Sequence, residues 1–164
     1  EKAGVPNAYD GAKALANGEV TRAHYARYLV QIGKVSNDGQ AFKRYLGGGK
    51  SCFVKAEWVD IPTAIDTIHA AGGVAVIAHP MRYNMTGKWI RRLIVDFKQW
   101  GGDGMEVADS GQTKDQRQYL ARLANEYDLA ASLGSDFHFP CGWIELGKNL
   151  FLPEEVKPIW TLFE

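Results

Sequence analysis

The chain has 164 residues, 46% of them hydrophobic and 12% aromatic, which excludes the disordered and low-complexity classes and requires a buried core. Nineteen Lys and Arg balance nineteen Asp and Glu, so whole-molecule charge offers no long-range capture of nucleic acid or of an anionic membrane. No run approaches the ~20 apolar residues of a membrane span, no basic-then-apolar leader opens the chain, and Cys52 and Cys141 sit outside any CxxC spacing, so a soluble, cytoplasmic protein without disulfides or thiolate metal sites is expected.

The sequence opens at Glu1 with EKAGVPNAYDGAKALANG, which reads as the inside of a helical region, and a piece of a longer protein is expected. Asn7 to Ala16 is a short alanine-rich helix stopped at Asn17-Gly18. Thr21 caps a second helix through Ile32, with Tyr25, Tyr28, Leu29 and Ile32 at helical spacing and Gly33 as the stop. Ser36, Asn37 or Asp38 caps a third, carrying Phe42, Tyr45 and Leu46, and Gly47-Gly48-Gly49 ends it. Cys52-Phe53-Val54 reads as a short extended piece.

The period then changes. Asp60-Ile61-Pro62 starts a helix with Ile61, Ile65 and Ile68 on one face, terminated by Gly72-Gly73. Val74 to Ala78 is a continuous apolar run, as for a strand covered on both faces. Trp89, Leu93, Phe97 and Trp100 mark a helix, Gly104 to Ala108 a second strand, Lys114 to Tyr127 a helix with Leu120, Leu123 and Tyr127 inward, and Leu129 to Leu133 a third strand. One helix in each gap between strands is the spacing of βα units in a parallel sheet or barrel. Leu152 to Glu164 reads as a last helix carrying Val156, Ile159, Trp160 and Phe163. The chain thus divides into a helical part, 1–62, with a charge balance of +3, and an α/β part, 63–164, with a balance of −3.

Two histidines stand just past strand ends, where parallel α/β folds place their chemistry. His79 follows the first strand and precedes Pro80; Asp136 and His138, two apart in Gly134-Ser135-Asp136-Phe137-His138, follow the third. Imidazole and carboxylate without thiolate suit a hard or borderline divalent metal, and the three groups are expected to converge on one cation. A lone histidine after a strand is more often a loop residue, and DxH is weak by itself; the joint placement is what points to a metal. Glu106 lies near the same rim and reads equally well as a polar strand-end residue or as a catalytic one. His69 suits a helix carboxyl end, and His24 a surface or cap position. Arg22, Lys50 and Arg82 could meet phosphate: Lys50 follows three glycines, although no P-loop pattern is present, and Arg82 lies three residues beyond His79.

Ala78-His79-Pro80 after an apolar strand, with GSDFH far downstream, resembles the polymerase-and-histidinol-phosphatase (PHP) superfamily of metal-dependent phosphoesterases. VTRAHYARYL, FKRYLGGGK, IHAAGGVAVIAHPMRYN, GGDGMEV, GSDFHFPCGWIELG and Leu152-Pro153 carry the resemblance over essentially the whole chain. It is most similar to the branch of nucleoside 3′,5′-bisphosphate phosphatases and the bacterial exoribonuclease AM. The resemblance implies an α/β fold, with 63–164 the C-terminal βα units of a distorted (β/α)7 barrel and 1–62 a small helical cap inserted in it. It implies a trinuclear divalent centre, usually manganese with iron or zinc as options, with His79, Asp136 and His138 among its ligands. Asp136 and His138 would be catalytic, and Arg22, Lys50 and Arg82 would hold substrate phosphate.

The activity implied is removal of a nucleotide 3′-phosphate, or 5′-to-3′ trimming of short RNA, by a metal-activated hydroxide, with no membrane partner and no reading of DNA sequence. The family's amino-terminal HxH motif and the ligands that follow it have no counterpart here, so those would belong to a preceding half of the same protein. Two alternatives stay open: a PHP phosphatase for another substrate such as histidinol phosphate, and a non-catalytic piece that binds phosphate or a partner.

Overall fold

In a computed structural model, which describes residues 2–138, 142 and 144–163, the chain divides into two compact units, Glu1–Glu57 and Trp58–Glu164. No helix among the described residues is long and apolar enough to cross a membrane.

The first unit is helical. It holds α1 (Ala8–Lys13), α2 (Arg22–Gln31) and α3 (Asp38–Ala41), the last running on into a π-helical turn, Phe42–Leu46. At the start of α2 the backbone N–H of Thr21 donates to Nδ1 of His24 at 3.0 Å, so this histidine caps its own helix. Of the three candidate caps for α3 it is Asn37 that serves, its Oδ1 accepting from the Gln40 N–H at 2.9 Å. Val5, Ala26, Leu29, Val35, Ala41 and Leu46 form the core, with Tyr25, Tyr28, Phe42 and Tyr45 partly buried around it. The extended piece expected at Cys52-Phe53-Val54 is not a strand. Cys52 closes a turn onto the Tyr45 carbonyl at 3.0 Å, and Val54 is exposed, so no apolar face fixes it in a sheet.

The second unit is the α/β part. Asp60 caps α4 (Ile61–Ala70) by accepting from the Thr63 N–H at 2.9 Å, with Pro62 in the first turn as the sequence predicts. Then follow β1 (Val76–Ile77), α5 (Gly87–Gln99), β2 (Gly104–Asp109), α6 (Lys114–Glu126) and β3 (Ala130–Gly134). The strands are parallel in the order β1-β2-β3, as βα units require, and three strands make an open sheet rather than a closed barrel. A capping box of Thr113 and Gln116 opens α6. The core brings Ile65, Ile77, Ile90, Ile94, Phe97, Met105, Val107, Leu120 and Leu123 into one cluster, each such side chain contributing on the order of 1.5–3 kcal/mol by burial.

The inward stripe of α5 is Ile90, Ile94 and Phe97, with Leu93 partly buried beside it and Trp89 62% exposed. Of α4 only Ile65 is fully buried, Ile61 and Ile68 remaining partly exposed. A further expectation changes. The tail is not a helix beyond a 3-10 turn at Ile159–Leu162, because Pro153 and Pro158 interrupt it. It joins the sheet edge instead, where the Ala131 N–H donates to the Lys157 carbonyl at 2.7 Å and Val156 and Ile159 are buried.

One irregularity in β2 matters for the site. Glu106 pairs with Ser132 and Asp109 with Gly134, while Val107 is an extra residue bulged out of the ladder. Three apart in sequence, Glu106 and Asp109 are two rungs apart in the sheet, and so they share a face.

Candidate functional site

Parallel strands deliver the segments after β1, β2 and β3 to one rim. After β1 the chain turns sharply at His79, whose φ of 33° and ψ of 56° are left-handed. For a non-glycine residue this costs on the order of 1–3 kcal/mol, and the following Pro80 disfavours helical backbone further. Several bonds hold the turn. The His79 N–H donates to Oε2 of Glu106 at 2.5 Å, the Arg82 N–H donates to the His79 carbonyl at 2.9 Å, and the Tyr83 hydroxyl donates to the Ala78 carbonyl at 2.8 Å. The Tyr83 ring meets the His79 ring edge-on at 5.8 Å. Nδ1 of His79 is buried and has no hydrogen-bond partner among the described residues.

Glu106 is buried, and a side chain on Gly134 would come within 2.8 Å of its Oε1, so glycine leaves the carboxylate its room. Burial pushes the Glu106 carboxyl above its ordinary range; the His79 N–H pulls it back, and the nearby charges of Asp109 and Asp136 add to the rise. Asp109, 3% exposed, accepts from Nε of Arg82 at 3.0 Å and from the Gly111 N–H at 2.7 Å. Nη1 of Arg82 also donates to the Asp136 carboxylate, so one guanidinium joins the strand end of β2 to the loop after β3. Asp136 is itself left-handed, φ 53°, a conformation aspartate tolerates. The His138 ring is largely exposed, its Nδ1 lying 2.8 Å from the backbone oxygen of Asp136 and 3.8 Å from its carboxylate.

The structure thus brings His79, Arg82 and Asp136 to one rim with Glu106 and Asp109. Among the described residues, however, no three His, Cys, Asp or Glu side chains are gathered closely enough to hold a metal ion. His79, Asp136 and His138 are not gathered on one point as expected: the Asp136 carboxylate accepts from Arg82 and the His138 ring is largely exposed. Among the described residues, the buried His79 Nδ1 without a hydrogen-bond partner and the carboxylates at the same rim suit a borderline divalent ion, as part of a shell rather than a whole one.

The remaining predicted residues lie elsewhere. Arg22 lines a cavity of about 480 Å³ in the first unit, with Tyr25, Tyr28, Leu29 and Tyr45. Lys50 borders a different concavity, with Gln40, Lys43 and Arg44, and its N–H is used within the glycine turn, donating to the Gly47 carbonyl at 3.1 Å. His69 pairs through Nε2 with Asp103 at 2.7 Å, and the same carboxylate oxygen accepts the Ala75 N–H at 2.7 Å, tying the end of α4 to the entry of β1. Cys52 is free; Cys141, with Phe139, Pro140 and Trp143 of the GSDFHFPCGWIELG segment, lies outside the described residues. Asp109 is the rim residue the sequence does not single out. Its only signal is its place at a strand end, and its distance from Glu106 in sequence points to the opposite face unless the bulge is known.

No protein-family model matches the chain. It is 82% identical over 163 residues to a 5′-3′ exoribonuclease of Haemophilus influenzae, covering 99% of this chain and 60% of that protein. It is 51% identical to the 5′-3′ exoribonuclease Rnm of Escherichia coli, covering all of this chain and 56% of that protein. It is 40% identical to a 3′,5′-nucleoside bisphosphate phosphatase of Chromobacterium violaceum, covering all of this chain and 59% of that protein. The chain therefore spans somewhat over half the length of the curated relatives it matches.

Among solved structures it matches an amidohydrolase from Chromobacterium violaceum with bound sulfate and no metal, at a TM-score of 0.81 and 40% identity over 97% of this chain and 56% of that one. It also matches a structure from Bifidobacterium adolescentis described as a candidate metal-dependent phosphoesterase, at 0.66 and 27% over 97% of this chain and 55% of that one. Over its whole length the chain is similar to 5′-3′ exoribonucleases and to a 3′,5′-nucleoside bisphosphate phosphatase, and it shares its fold with the matching part of the two solved structures.

Proposed function

We propose that the intact protein hydrolyses phosphate esters of nucleotides, trimming short RNA from its 5′ end or removing the 3′-phosphate of a nucleoside 3′,5′-bisphosphate. What carries the reading is alignment along the entire chain with enzymes named for these two activities. Residues 63–164 are the C-terminal βα units of the barrel in this reading, and residues 1–62 its helical cap. A divalent metal, manganese on the pattern of the family, activates water and neutralises phosphoryl oxygens when bound. His79, Asp136 and His138 are the ligands this chain would contribute, the rest of the shell coming from the part of the relatives' length it does not span.

The chain's own residues suit the task. His79 offers a buried imidazole nitrogen without a hydrogen-bond partner among the described residues. Arg82 sets a guanidinium beside two carboxylates at the rim, where it can also face a phosphate. Arg22 and Lys50 would hold further phosphate groups.

The test uses the intact protein with manganese, on adenosine 3′,5′-bisphosphate and on short 5′-phosphorylated RNA. Metal-dependent release of phosphate or mononucleotide, abolished in Asp136→Ala and His79→Ala, is the expected result. A folded, metal-supplied protein that releases neither product overturns the reading.

A further inference from the structure

The turn at His79 and the loop at Asp136 belong to different strand ends, yet both are braced from the strand between them. Glu106 accepts the His79 N–H at 2.5 Å, and it is buried with Gly134 leaving space beside its other oxygen. A short bond from an amide to a buried carboxylate is among the stronger backbone restraints available, and here it falls on a residue held in left-handed backbone. Asp109 works at one remove. Its carboxylate takes Nε of Arg82, and Nη1 of the same guanidinium takes Asp136. The extra residue Val107 puts both carboxylates on one face.

We propose that Glu106 and Asp109 are positioning residues: Glu106 holds the His79 turn by its backbone, and Asp109, through Arg82, holds the Asp136 carboxylate, so that β2 sets the spacing of groups it does not carry. The consequence for metal rests on the reading of His79 and Asp136 as ligands; the bracing itself does not. Glu106 bonds the backbone N–H of His79 and not its ring, and Nδ1 has no hydrogen-bond partner among the described residues.

Two readouts on the intact protein separate these claims. In metal-free protein labelled with 15N-histidine, the His79 amide proton, assigned by its loss in His79→Asn, is expected far downfield because of the short bond to a carboxylate. It should move upfield in Glu106→Ala and only part-way in Glu106→Gln, whose amide oxygen can still accept, so the glutamine variant serves if the alanine one does not fold. Calorimetric titration with manganese should show about a 10- to 100-fold weaker affinity in Glu106→Ala and in Asp109→Ala, with Glu106→Gln close to the unaltered protein, the range seen when groups that orient metal ligands are removed.

An amide resonance that ignores both Glu106 substitutions overturns the bracing. A resonance that moves while manganese affinity stays unchanged overturns the positioning role toward metal. If the unaltered protein binds no manganese but its resonance responds as described, the bracing stands and it is the assignment of His79 and Asp136 as ligands that fails.

Discussion

The two units handle distance along the chain in opposite ways. In the second unit His79, Arg82, Glu106, Asp109 and Asp136 come from three separate strand ends and meet at one rim. In the first, Arg22 and Lys50 are separated by about as much chain as neighbouring strand ends yet border different cavities. A parallel sheet aims the carboxyl ends of its strands the same way, so residues scattered in sequence collect there. Short helices spread side chains around their axes, and only residues three or four apart become neighbours. Polar chemistry in the first unit is correspondingly local, with His24 and Asn37 each serving the helix they begin.

The largest expected effects test how tightly each unit is filled. Leu120→Ala, at a fully buried position facing the sheet, should lower stability by about 2–5 kcal/mol in urea denaturation. Leu29→Ala should fall at the low end of that range, since Leu29 already borders the cavity of the first unit. A Leu120 effect below about 1 kcal/mol would mean α6 does not face a packed core.

A pair of glycines sharpens the contrast. Gly134→Ala forces a methyl group against Glu106 and should cost about 1–3 kcal/mol by thermal denaturation. The effect should shrink in a Glu106→Ala background. Gly48→Ala in the first unit adds a methyl group that meets nothing and should change stability by less than about 0.5 kcal/mol. Equal effects at the two glycines would erase the difference claimed between them.

Smaller again is the loss of a cap. Asn37→Ala should cost about 1 kcal/mol, read by chemical denaturation, with Asn37→Ser restoring most of it. Smallest is a pH effect in the second unit. The bonds from Thr63 hold the Asp60 carboxyl below its ordinary 3.8. Its contribution is therefore complete above that value and fades as pH falls through the lower, folded-state value. Asp60→Asn should flatten this acid limb of the melting temperature, and an unchanged limb would remove the cap from the account.

Much of the second unit was legible because apolar runs and glycine stops mark βα units strongly; β2, α6 and β3 lie where their patterns place them. In α5 the spacing of Trp89, Leu93 and Phe97 marks the helix, but Ile90-Ile94-Phe97 shares the period, and only the packed partner decides which stripe faces inward. The tail misleads because apolar spacing outweighed two prolines whose segment lies along a strand instead. At the site, the placement of His79 and Asp136 on one rim follows from topology. The engagement of Asp136 by Arg82 and the face of Asp109 do not, since the first depends on three dimensions and the second on an extra residue that leaves no local mark.

That extra residue also changes how the site should be traced in proteins similar to this chain. A homologue lacking a residue at the position of Val107 would still count two rungs from the first carboxylate to the second, so a one-residue gap there preserves the pair. An ungapped substitution that flattened the strand would instead turn the second carboxylate away. Here, conserved spacing is the wrong thing to look for; what must match is the parity of the ladder.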